Sequence, residues 1–154
     1  MKPVQKTILI VAGLIAVSVF TIVAVAESGR RVPPPSQSQA ERIEHGRYLV
    51  HNVGMCIDCH SPRDERGEFV DSKHLSGAPL GFAATVPMPW MPLAPRLAGL
   101  PAGYTEDDTV RFLMTGERPN NMPATLPPMP PFRMNDNDAK AIAAYLKSLP
   151  VNTD

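Results

Sequence analysis

Both cysteines of this 154-residue chain fall in one string, Cys56-Ile57-Asp58-Cys59-His60. C-x-x-C-H is the attachment signature of a c-type haem, and the spacing has a physical reason. Two thiols three residues apart can add to the two vinyl groups on one edge of a porphyrin. The adjoining imidazole then comes under the ring, where a nitrogen can bind iron. Other readings of the string are weaker. A structural zinc site needs two further ligands, but there is no second C-x-x-C and the other histidines are only His45, His51 and His74. A thioredoxin-like dithiol needs a βαβ setting, which the sequence lacks. A disulfide between Cys56 and Cys59 would close too small a loop to add much stability, and it leaves His60 unexplained.

Composition agrees with one cofactor-assisted domain. Fifteen Lys and Arg balance fifteen Asp and Glu at a pI near 6.9, so no basic excess exists to neutralise phosphates and no nucleic-acid partner is expected. Two cysteines cannot staple a secreted disulfide scaffold. Eighteen prolines and 6% aromatic residues describe a loop-rich body that needs something besides side chains to fill its core.

The charges are unevenly spread. Thr7 to Ala26 (TILIVAGLIAVSVFTIVAVA) carries none, and as a helix it would span about 30 Å, the thickness of a bilayer core. Residues 1–26 are therefore read as a single-pass transmembrane anchor. Lys2 and Lys6 precede the apolar run, which puts the N-terminus in the cytoplasm and the remainder on the periplasmic side of an inner membrane; Arg30 and Arg31 weaken that charge signal. The competing reading is a cleaved signal peptide, because Ala24-Val25-Ala26 matches a cleavage site. Either way the rest of the chain is exported, and c-type haem is attached on that side. Residues 27–39 (ESGRRVPPPSQSQ) form a Pro/Ser-rich linker reaching at most ~40 Å. Residues 40–150 form the folded domain and 151–154 a tail. Beyond residue 39 there are 11 basic and 14 acidic residues.

Helices separated by proline-bearing loops are expected in the domain. The first should run from Ala40 to about Met55, with Ile43, Arg47, Tyr48 and Val50 along one side. A second begins at an N-cap, Thr105, followed by Glu106, Asp107 and Asp108, and stops at Gly116. The last starts near Asn135, presents Ile142, Tyr145, Leu146 and Leu149 at helical spacing, and ends by Pro150. No alternating strand pattern is evident, so the expected class is all-α.

The domain resembles class I cytochrome c, the single-haem type with His and Met axial ligands, in its membrane-anchored bacterial form. The resemblance covers about 110 residues. Gly46, Tyr48 and Tyr145 match the positions where that family's first and last helices cross. Ala94-Pro95-Arg96-Leu97-Ala98-Gly99 is similar to its G-P-x-L-x-G segment, with Ala94 in place of the usual glycine. The resemblance implies that the Pro95 carbonyl accepts the other imidazole proton of His60, orienting the ring and raising its basicity. About 33 residues separate His60 from that segment. The inserted stretch, Ser61 to Leu93, resembles that of cytochrome subunits of membrane dehydrogenases and respiratory complexes, and is expected to wrap one haem edge.

The resemblance also implies an iron ligand, with His60, from a methionine just before the last helix. Met129, in Leu126-Pro127-Pro128-Met129-Pro130-Pro131-Phe132, has that position. Flanking prolines commit the stretch to an extended form, so it loses less entropy when held against iron. Met88 and Met91, Met122 and Met134 are its rivals. Trp90 and Arg96 are candidate partners of haem propionates. His45 and His51 read as surface residues of the first helix or its turn, and His74 as part of the inserted loop.

One haem c held by Cys56 and Cys59, with iron between His60 and Met129, leaves no site for substrate. The expected function is one-electron transfer, without catalysis, between membrane-bound donor and acceptor complexes of a respiratory or photosynthetic chain. The nearest alternative is a fixed cytochrome subunit of a dehydrogenase, quinol-oxidising, oxidase or reaction-centre complex. An open-site haem enzyme or sensor, and a tethered thiol oxidoreductase, are further alternatives.

Overall fold

The structure, a computed structural model, describes residues 37–151. The expected anchor at 1–26 and most of the linker lie outside them. Among the described residues no helix is long and apolar enough to cross a membrane.

Four helices carry the domain. Helix α1, Gln39–Tyr48, opens on a reciprocal cap in which the Glu41 amide donates to Ser38 Oγ and the Glu41 carboxylate accepts the Ser38 amide. It runs on into one π-helical turn, Leu49–Val53, closed by the Gly54 amide on the Leu49 carbonyl at 2.7 Å. The expected α-helix to Met55 is thus shorter and ends in a wider turn. Helix α2, Cys56–His60, follows Met55, whose φ is 48°. Helix α3, Glu106–Thr115, has Thr105 as N-cap with Asp108 completing a capping box, and Gly116 at φ 79° closing it. Helix α4, Asp136–Ser148, starts at Asn135, whose side chain accepts from the Asp138 amide.

Helices α1 and α4 cross where Gly46 meets Ala141. A Cβ on Gly46 would stand 2.0 Å from the Ala141 carbonyl oxygen and 2.7 Å from Tyr145 Cβ, so only glycine permits this approach. Val50, Ile142, Ala139 and Ala141 are fully buried around the crossing, with Tyr145 and Leu146 beside them. Tyr48 is not part of it. Two residues past Gly46 is about 200° of helix rotation, and Tyr48 is 53% exposed; Arg47 likewise faces outward and pairs with Glu44. Helix α3 packs on α4 through Leu113 and Val110, and Lys147 of α4 reaches Glu106 at 2.7 Å.

The all-α expectation needs one correction. Strands β1, Ala78–Pro79, and β2, Leu93–Ala94, pair antiparallel. Two residues each are too few to leave an alternating pattern; the pairing closes the loop between them and sets Ala78 against Ala94.

Candidate haem site

The site begins with the αL backbone of Met55, which lets the chain turn from the π-helical end of α1 directly into α2. Cys56 and Cys59 stand one turn apart on α2, both half-buried and both free thiols. His60, 5% exposed, ends the helix. Its Nδ1–H donates to the Pro95 carbonyl across 2.7 Å, so the hydrogen bond anticipated for Pro95 is present. That leaves Nε2 as the ring nitrogen able to take another partner. Burial holds the His60 pKa below the usual histidine value, opposed by this hydrogen bond, so the neutral, metal-binding form is favoured.

Burial pushes the Cys56 thiol up to about 11. Reactive C-x-x-C thiols have lowered values, so this cysteine is poorly suited to thiol–disulfide exchange at neutral pH. Among the described residues no cluster of three or more His, Cys, Asp or Glu could hold a metal ion, so the zinc reading finds no third ligand.

The sequence-predicted partners are distributed as follows. Trp90 is half-buried, and its indole Nε1 is buried with no hydrogen-bond partner among the described residues; Phe82 packs edge-on against its ring at 5.8 Å. A buried N–H without a partner costs on the order of 1–3 kcal/mol, and a haem carboxylate would satisfy it. Arg96 gives one N–H to the Ala98 carbonyl. Met129 is half-buried in the turn that follows Pro127–Pro128, and the Met91 amide donates to the Pro127 carbonyl at 2.9 Å, tying the insertion to that strap. Met88 and Met91 are each 43% exposed. Met122 Cε lies 3.0 Å from where a Gly103 Cβ would be, and Met134 Cε packs at Gly54 beside Cys56 Sγ. A free pair of thiols, a histidine with one nitrogen spare and an orphaned indole N–H together fit a covalently held haem.

The cytochrome c family profile matches residues 43–150, all but a few residues of the described domain. The chain belongs to the cytochrome c family. That membership implies covalent haem c and supports electron transfer. It is 34% identical over 115 residues to a diheme cytochrome c-type protein of Cereibacter sphaeroides, covering 72% of this chain and 36% of that one. With the cytochrome c subunit of the quinone alcohol dehydrogenase of Gluconobacter oxydans it shares 32% over 118 residues, covering 70% and 24%. With the cytochrome subunit of the fructose dehydrogenase of Gluconobacter japonicus it shares 28% over 122 residues, covering 71% and 22%. The chain thus spans about a third or less of the relatives it matches.

One histidine differs from its sequence reading, and His74 of the insertion packs against it. His51 is half-buried, with Nε2 hydrogen-bonded to the Tyr145 hydroxyl at 2.8 Å. His74 packs edge-on to both His51 and Phe69, at 6.1 and 5.8 Å. Together they join α1, α4 and the insertion. His51 and Tyr145 are 94 positions apart, and no local pattern announces such a pairing.

Proposed function

We propose that this chain is a class I cytochrome carrying one haem c on Cys56 and Cys59, with His60 and Met129 on the iron, and that it transfers single electrons. The bound haem supplies reversible one-electron oxidation and reduction. The protein holds the cofactor by two side-chain bonds, orients the His60 imidazole through Pro95, and offers Trp90 and the remaining donors of Arg96 to the propionates. The observation that carries this reading is the His60 Nδ1–H···Pro95 hydrogen bond. It fixes the tautomer and ring orientation that an iron-binding histidine needs. Met129 is supported by its place: of the candidate methionines only it stands in the proline strap 126–132 before α4.

Residues 1–26 are proposed to anchor the domain (40–150) in the inner membrane, the linker 27–39 holding it near the periplasmic surface and 151–154 forming a tail. Confinement to that layer raises its effective concentration against membrane-bound donors and acceptors. A second reading, a cytochrome subunit resident in a dehydrogenase complex, is favoured by the names of the relatives, which include cytochrome subunits of alcohol and fructose dehydrogenases. Extraction in mild detergent separates the two: a free carrier emerges alone, a resident component with stoichiometric partners.

Met129→Ala tests the ligand set. The variant should keep its covalent haem, bind carbon monoxide when reduced, and lose roughly 0.1 V or more of potential, part of the ~0.8 V that axial ligands command. An unchanged potential with an intact methionine-to-iron charge-transfer band would assign the sixth position elsewhere.

A further inference from the structure

A carbonyl cannot be re-aimed by a rotamer. The direction in which Pro95 presents its oxygen to His60 is set by the backbone from Ala94 to Ala98, and the insertion grips that backbone from both sides. Ser61, beside His60 and 2% exposed, accepts the Leu75 amide on its hydroxyl at 2.8 Å. The Leu75 carbonyl accepts two amides from the Pro95 segment, Leu97 at 2.8 Å and Ala98 at 3.1 Å. The Gly77 amide donates to the His60 carbonyl at 2.8 Å. Strand pairing fixes Ala94 against Ala78.

Two backbone positions show how tightly this is built. Gly77 has φ 89°, and a Cβ there would lie 2.8 Å from the Arg96 nitrogen, 3.0 Å from the Ala94 oxygen and 3.1 Å from the Pro95 carbonyl carbon. Leu75 has φ 57°, a left-handed conformation that costs a non-glycine residue about 1–2 kcal/mol. It persists because the side chain is wholly buried and both backbone groups are engaged. Strain held by over-determination marks a segment whose position matters.

We propose that Ser61, Leu75 and Gly77 are positioning residues for the axial imidazole. The insertion acts as a clamp that sets how firmly Pro95 holds His60 Nδ1–H, and so how basic the iron ligand is. This rests on the His60 ligation proposed above. A firm hydrogen bond makes the imidazole more basic and favours ferric iron; loosening the clamp therefore raises the potential.

The haem-loaded full chain is compared with Ser61→Ala, which removes the acceptor for Leu75, Ser61→Thr, which restores a hydroxyl, and Thr105→Ala as a control that weakens only the α3 cap. Ser61→Ala should raise the midpoint potential and speed exchange of the His60 Nδ1 proton, followed by NMR, roughly tenfold, as expected for one lost hydrogen bond. Ser61→Thr should return both toward wild type, and Thr105→Ala should lower stability without moving either. A folded Ser61→Ala protein with wild-type potential and exchange overturns the clamp. If Ser61→Ala does not mature, hydrogen exchange in the wild type decides. The amides of Leu75, Gly77 and Leu97 should open together with His60 Nδ1–H, on one denaturant slope; a ring proton that outlasts those amides overturns the inference. Wild-type protein whose His60 ring shows no iron-shifted resonances would instead fail the ligand reading, and the clamp with it.

Discussion

The α1–α4 crossing and the insertion from Ser61 to Leu93 hold their shapes by different means. The crossing is side-chain packing on regular helices: Gly46 lets two backbones touch, and Val50, Ile142 and Leu146 fill in around them. The insertion has almost no regular structure. Backbone hydrogen bonds, three positive-φ residues and a two-residue strand pair hold it, along with Arg63, which pairs with Asp58 at 3.1 Å and stacks over Phe69 at 3.9 Å. The first region supplies stability. The second reaches the groups that hold His60, so disturbing it should register at the haem.

The largest expected effect is at the crossing. Gly46→Val places atoms inside the Ala141 carbonyl, and should destabilise the domain by about 3 kcal/mol or more. Thermal unfolding of the haem-loaded protein measures it, and a wild-type melting temperature would mean that the helices can cross without touching. A smaller effect is expected at the α3 cap: Thr105→Ala removes the hydroxyl that accepts the Asp108 amide, leaves the Thr105 amide on the Asp108 carboxylate, and should cost ~1 kcal/mol. Its reduction potential should stay at the wild-type value. A shifted potential would break the division of labour between the two regions.

The smallest effect lies where the two regions meet. His51 faces Tyr145 from α4, His74 with Asp71 beside it from the insertion, and Arg47 on its own helix. Burial holds its pKa below the usual value, with the positive charges of His74 and Arg47 adding to the shift. The unfolded chain thus takes up this proton at a higher pH than the folded one. Stability from this group is complete above about pH 6.5 and declines as the pH falls through that value toward the folded pKa. His51→Gln keeps a partner for the Tyr145 hydroxyl without a titrating group. The urea midpoint of that variant should fall less than wild type between pH 7.5 and 5.5, and parallel curves would remove His51 from the account.

The same contrast explains what was legible in the sequence. Thr105, Gly116 and Asn135 act where their residue types put them, because a cap is a local contract between a side chain and the next turn. The hydrogen bond between His60 and Pro95 was legible as well, through a fixed motif and a segment resemblance. Beyond them the reading fails for physical reasons. The π-helical end of α1 and the outward face of Tyr48 depend on how α1 lies on α4. The roles of Ser61, Leu75 and Gly77 depend on backbone groups up to some 20 positions away, and a left-handed leucine has no sequence signature at all.

The rest depends on a proposed porphyrin bonded to Cys56 and Cys59 and served by His60. Intact mass of the mature protein after denaturation, followed by mapping of the peptide that spans Met55 to Ser61, tests it most directly. The expected mass exceeds that of the polypeptide by one haem, all of it on that peptide through two thioether bonds. A denatured chain with the mass of bare protein and two reactive thiols would contradict it.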